Sequence, residues 1–141
     1  MILSHDRIYF GRWSDEDDLI ESFADPKAGG EAAMVKALRG VEILLADYRH
    51  QSFSSYDADA FVLFRKGRKL FEINAGHGSY YGLEGQWDPE EVDIGAMRYR
   101  RAKGDWREPN PYQNEYPDAP LFYCRLDYII DQWAKRKKPP A

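Results

Sequence analysis

The sequence predicts an α+β fold in which a small antiparallel sheet of three or four strands is covered by about four helices. Three observations predict it. Two β-prone runs, residues 60–65 and 69–74, flank Lys66-Gly67-Arg68, a compact turn with a glycine available for positive φ. Immediately before them, residues 41–48 are rich in β-branched and apolar side chains and read as a buried strand. Helical spacing then recurs on both sides, in Leu19, Ile20 and Phe23, in Met34, Val35 and Leu38, and in Phe122, Leu126, Ile129, Ile130 and Trp133. Three strands in a meander are about the minimum that is stable once a helix covers one face.

In chain order, Ile8-Tyr9-Phe10 opens the fold as a short strand that ends near Gly11. Ser14, with Asp17 three residues on, resembles a capping box, and the acidic first turn suits the helix dipole, so a helix is expected over 15–24. Asp25-Pro26 ends it. A second helix is expected over 31–38, with Gly40 as its carboxy-terminal cap. After the hairpin, residues 75–87 form a glycine-studded aromatic loop. Asp88-Pro89-Glu90-Glu91 then offers an N-cap, a proline at the first helical position and a glutamate at the capping-box position, which predicts a helix over 88–103. Pro109, Pro111 and Pro117 make 105–117 an irregular connection of the length that is often functional. Asp118 caps a last helix, and a basic tail over 135–141 is expected to fray.

A length of 141 residues fits one domain spanning 1–141, and 43% hydrophobic with 15% aromatic residues is ample for a core. The one cysteine, Cys124, has no internal disulfide partner, and no amino-terminal segment reads as a secretory leader, so a cytoplasmic location is expected. The apolar runs are far shorter than the roughly 20 residues that cross a bilayer, so no membrane association is expected. Threonine is missing and Asn, Gln and Cys are scarce. Heat adaptation and sampling in a short chain account for this equally well.

The net charge of -4 argues against direct nucleic-acid binding, which calls for a strongly basic face. The charge is unevenly distributed. Asp15, Glu16, Asp17, Asp18, Glu21 and Asp25 crowd one segment, whereas Arg98, Arg100, Arg101, Lys103 and Arg107 form a basic run and Lys135, Arg136, Lys137 and Lys138 another. Such polarity steers association with a charged partner, although charge runs are more often solvated faces.

His77 is the first candidate for chemistry, since it follows a strand in a glycine-rich loop. Ser79 is near it, but the stretch does not match the Gly-x-Ser-x-Gly elbow. Gly76, Gly78 and Gly82 match neither the dinucleotide fingerprint nor a P-loop; their simpler role is to let Tyr80, Tyr81, Leu83 and Trp87 fold back onto the sheet. His5, His50, His77 and Cys124 are too scattered to predict a metal, and no cofactor is expected. Arginines interleaved with aromatics, as in Arg98-Tyr99-Arg100-Arg101 and Trp106-Arg107, suit base stacking, but a helix anchored by Met97 and Tyr99 with solvated arginines explains them more simply.

The runs 60–64 and 69–74, then Gly76-His77, then Tyr81-Gly82-Leu83-Glu84-Gly85-Gln86-Trp87-Asp88-Pro89-Glu90-Glu91 resemble a group of small uncharacterised bacteriophage proteins, over roughly residues 41–100. In that pattern the histidine is often followed by cysteines, as His-Cys-Ser-Cys-Tyr-Gly; Gly78 and Tyr80 stand in those places here, which removes any thiol or metal role. The resemblance implies a phage protein acting inside an infected bacterium. By analogy with small phage proteins that lack enzyme motifs, the expected function is a non-enzymatic host-takeover regulator that binds host RNA polymerase or its σ factor and modulates or inhibits transcription. The expected contact residues are Asp15, Asp17, Asp18, Glu21, Arg98, Arg101, Trp106, Arg107, Tyr112, Lys135 and Arg136. Two alternatives stand beside it. One is a small hydrolase or transferase using His77 with Glu84 or Asp88; the other is an acidic inhibitor of a host nuclease or defence complex.

Overall fold

A computed structural model describes residues 5–50, 57–78, 82–103 and 119–136. Among them the chain forms β1 (Tyr9–Gly11), α1 (Glu16–Phe23), a 3₁₀ turn (Pro26–Ala28), α2 (Gly30–Ala37), β2 (Val41–His50), β3 (Ala58–Lys66), β4 (Lys69–His77), β5 (Glu90–Glu91), α3 (Ile94–Lys103) and α4 (Ala119–Arg136). The α+β class matches the expectation, but the sheet has five strands in the order β1-β2-β3-β4-β5. It is also mixed rather than antiparallel, because β1 pairs with β2 in parallel. A parallel neighbour needs a crossover, and α1 and α2 supply it.

The sheet is covered on both faces, not one. Ala60, Phe61, Val62, Leu63 and Phe64 are all buried along β3, the signature of a strand sandwiched between two helical layers. One face carries Val62, Phe64 and Ile73 against Leu19 and Phe23 of α1 and Met34 of α2. The other carries Leu45, Phe61 and Leu63 against Ile94 and Met97 of α3 and Phe122, Leu126 and Trp133 of α4. The apolar run Phe61-Val62-Leu63-Phe64 therefore feeds two cores alternately.

The hairpin is longer than the expected 60–65 and 69–74, and pairs continuously from Lys66 opposite Lys69 to Ala58 opposite His77. Gly67 takes φ +63° and no described residue other than glycine has positive φ, so Arg68 does not, the combination of a type II′ turn. Residues 75–77, expected in the loop, thus belong to β4, and His77 closes the strand. The helix expected to begin at Asp88 begins at Ile94 instead, while Glu90 and Glu91 pair with Glu72 and Phe71. Asp93 is its cap, accepting from the Ala96 amide at 3.0 Å. Pairing at the edge of the sheet overrides the local helix signal at Pro89.

The first helix matches, except that Asp15 rather than Ser14 is its N-cap. Asp15 accepts from the Asp18 amide at 2.9 Å, and the Asp18 carboxylate accepts from the Ser14 amide at 2.8 Å. Lys135 and Arg136, expected in the frayed tail, lie in the last turn of α4. The 105–117 connection, Asp118 and the rest of the tail lie outside the described residues. No helix among the described residues is long and apolar enough to cross a membrane.

Two irregularities tie the sheet to its surroundings. Gly11, at φ +69°, lies so close to the Tyr48 carbonyl that a Cβ would collide with it. A register shift between Ile43 and Leu45 leaves Leu44 as the extra residue of a β-bulge. Its carbonyl accepts from Arg125 Nε of α4 at 2.9 Å, and a second Arg125 nitrogen reaches the His5 carbonyl at 3.1 Å. Burial pushes the Arg125 guanidinium below its usual pKa.

Candidate functional site

The strongest cluster of chemically versatile side chains lies where β2 and β4 end. His50, Ala58 and His77 stand in register across three strands, and paired positions share a face of the sheet. Tyr48, two residues before His50, lies on that same face beneath Trp13, with ring centroids 5.2 Å apart.

His77 is held at both ring nitrogens. Its Nδ1 lies 2.8 Å from the Gly78 carbonyl oxygen, which only accepts, so Nδ1 carries the proton. Its Nε2 lies 2.5 Å from Tyr48 Oη and in the neutral ring accepts the phenol proton. Arg12 lies over the Tyr48 ring at 5.3 Å and places a guanidinium nitrogen 2.8 Å from His50 Nε2. A guanidinium only donates, so His50 Nε2 is the acceptor. The constellation is a chain of internal hydrogen bonds and ring contacts that closes one end of the sheet.

A cleft of about 720 Å³ opens beside it, bounded by Asp25, which caps the 3₁₀ turn, by Lys27 within that turn, by His77, and by Glu84 and Gln86 of the following loop. These walls are tied to backbone. The Gln86 carboxamide accepts from the Gly76 amide at 3.1 Å and donates to the Gly76 and Gly82 carbonyls at 2.9 and 3.0 Å. Glu84 accepts from the Gly82 amide at 2.9 Å, and Asp25 from the Lys27 amide at 3.0 Å. Leu83 is buried, and Trp87 stacks on Phe64 at 5.6 Å and meets Phe23 edge-on at 5.2 Å. The folding-back expected of Leu83 and Trp87 is therefore present; Tyr80 and Tyr81 lie outside the described residues. His77 and Glu84 share the cleft, whereas Asp88 is exposed and is not among its lining residues.

The charged residues expected to make contact are not gathered in one place. Asp15, Asp17, Asp18 and Glu21 lie on α1, on one face of the sheet, and Asp15 and Asp18 are used as capping groups. Arg98 and Arg101 lie on α3, on the opposite face, with Arg101 bound to Asp127 at 2.8 and 3.2 Å. Lys135 pairs with Asp131 at 3.4 Å, and Arg136 is the last residue of α4. Trp106, Arg107 and Tyr112 lie outside the described residues. No group of three or more His, Cys, Asp or Glu among the described residues is arranged to hold a metal, and Cys124 is half-buried on α4.

Sequence reasoning missed Tyr48, Arg12 and His50. Their only signal was the two-residue spacing of Tyr48 and His50 at the end of a strand, which places them on one face. It also missed two buried acids. Asp47 is 1% exposed and bound to Arg49 at 2.6 Å; Glu72 is 7% exposed and bound to Arg100 at 2.6 and 3.1 Å. Comparison with protein families, with curated proteins and with solved structures finds no match for this chain.

Proposed function

We propose that the protein works by binding, as a non-enzymatic regulator that docks on bacterial RNA polymerase or its σ factor and alters transcription. One observation carries the first half of this reading. The histidine best placed for chemistry has both nitrogens committed within the protein, to Tyr48 and to the Gly78 carbonyl. A general base needs a nitrogen within reach of a substrate proton, and a ring held at both ends serves as a strut. The choice of partner rests on the resemblance of residues 41–100 to small phage proteins. It is also compatible with the charge polarity between α1 and α3, which suits steering toward a large charged assembly.

The test is surface-immobilised protein exposed to purified polymerase, as core enzyme and as σ-containing holoenzyme. Saturable binding with a dissociation constant on the order of 1 μM or tighter is expected. His77→Phe should leave that affinity within about twofold, because the ring is a support and not a contact. No saturable binding to either form would remove the polymerase reading. Loss of binding in a folded His77→Phe variant would return the cleft to the centre of the function.

A further inference from the structure

The outer face of α3 combines three features that occur together nowhere else among the described residues. Its sequence from Ile94 to Lys103 contains no acid and four bases, of which two are turned inward or sideways onto carboxylates: Arg100 onto Glu72 and Arg101 onto Asp127. Arg98 and Lys103 are left exposed, and neither pairs with a described carboxylate. Between them Tyr99 is 59% exposed, more than any other large apolar side chain among the described residues, with the Lys103 ammonium 4.9 Å from its ring centroid. Alongside, a groove of about 240 Å³ runs between α3 and α4, lined by Arg98, Arg101, Ala102, Asp127, Ile130 and Asp131. The aspartates that border it are already neutralised, Asp127 by Arg101 and Asp131 by Lys135. Of the two arginines that line the groove, Arg101 is thus bound to Asp127 and Arg98 pairs with no described carboxylate, while Tyr99 and Lys103 stand beside the groove on the same helix.

We infer that this face is the docking site for an acidic, amphipathic protein segment. An apolar side chain of the segment enters the groove over Ala102 and Ile130, its carboxylates meet Arg98 and Lys103, and Tyr99 covers the contact from solvent. Tyrosine and arginine around a desolvated pocket are the composition of interaction hot spots. A nucleic acid fits less well. Two available cations release roughly two counterions, a log-log salt slope of about −1.8, which is a small fraction of what phosphate-driven binding draws on. The inference rests on the reading above that the protein acts by binding. It places the anchor on α3, away from the acidic residues of α1.

The probe is a fluorescein-labelled peptide of about 16 residues, alternating Glu and Asp with Leu and Phe at helical spacing, followed by anisotropy at low and moderate salt. A single-stranded DNA 20-mer is run in parallel. Saturable peptide binding is expected, weakened about tenfold or more by Arg98→Glu with Lys103→Glu and about fivefold by Tyr99→Ala. Lys66→Glu, at the exposed hairpin tip, should stay within about twofold. All four residues are exposed, and circular dichroism verifies that each variant is folded. No saturable peptide binding, or equal loss in the Lys66→Glu control, overturns the inference, as does tighter binding of the DNA through the same residues. Repeating the variants against RNA polymerase separates the two readings. If the holoenzyme binds the charge-reversed variant as well as the parent, the α3 site falls and the polymerase reading stands. If the peptide binds as expected and the holoenzyme does not, the polymerase reading falls and the α3 site stands.

Discussion

Tyr9 shows how a single half-buried group couples the fold to its medium. Burial, and then the negative charges of Glu16 and Asp15, push its phenol up to about 12 from a usual 10.0. Between those values the folded protein holds a proton that the unfolded chain has released, so stability falls as pH rises from about 10 toward 12 and is unaffected by this group below that window. Chemical denaturation of Tyr9→Phe and the parent at a series of alkaline pH values should therefore show the parent losing stability more steeply in that range; parallel profiles would mean that the phenol is not desolvated. Gly11, two residues on, shows a different dependence. A side chain there would enter the space of the Tyr48 carbonyl, so the close approach of β1 to β2 is available to glycine alone. That requirement leaves no mark in the sequence beyond the glycine itself, which reads there simply as the end of a strand.

At the scale of elements, the sheet and α3 are joined by Glu72 and Arg100. The carboxylate is 9% exposed and the guanidinium 39%, so the pair lies between a surface contact, worth at most about 1 kcal/mol, and a buried one. Arg100→Met leaves Glu72 with the Asn74 side-chain amide, at 2.9 Å, as its remaining donor among the described side chains, and should cost about 2–4 kcal/mol. Adding Glu72→Gln should recover at least half of that, as read by urea unfolding; a double variant no better than the single would show that the arginine acts through packing alone. Elements driven by local chemistry were legible: the hairpin from Lys66-Gly67-Arg68, α1 from its acidic first turn and α2 from Met34 and Leu38, although Val35, expected on the same stripe, is exposed. Those set by distant partners were not. Glu90 and Glu91 read as a first helical turn and form a strand because β4 lies beside them, and the Leu44 bulge depends on an arginine from α4.

At the scale of the molecule, one sheet separates two apolar cores. Phe23 belongs to one and Phe61 to the other, and each is 1% exposed. Because β3 contributes alternate side chains to both, loss of either core removes the support of the other. Phe23→Ala and Phe61→Ala should each cost about 3–5 kcal/mol. Each should still unfold in one transition, seen as coincident near- and far-ultraviolet dichroism; separate transitions would mean that the layers fold independently. The candidate site was legible only in part. His77 was evident from its loop, but its bond to Tyr48 follows from strand register across β2, β3 and β4, which periodicity does not reveal. The basic run of α3 was equally evident, whereas the division between inward Arg100 and outward Arg98 needed the position of Glu72.

The carboxamide of Gln86 bonds to both backbone groups of Gly76 as a neighbouring strand would, on the side of β4 away from β3. Farther along the same margin, the Val92 amide donates to the Leu70 carbonyl at 2.8 Å, and on the opposite margin the Tyr9 carbonyl accepts from Arg7. A foreign chain that tried to extend the pleated surface at these rungs would find them occupied, so this protein is guarded there against templated fibre growth and strand exchange. Whatever it meets is met by side chains.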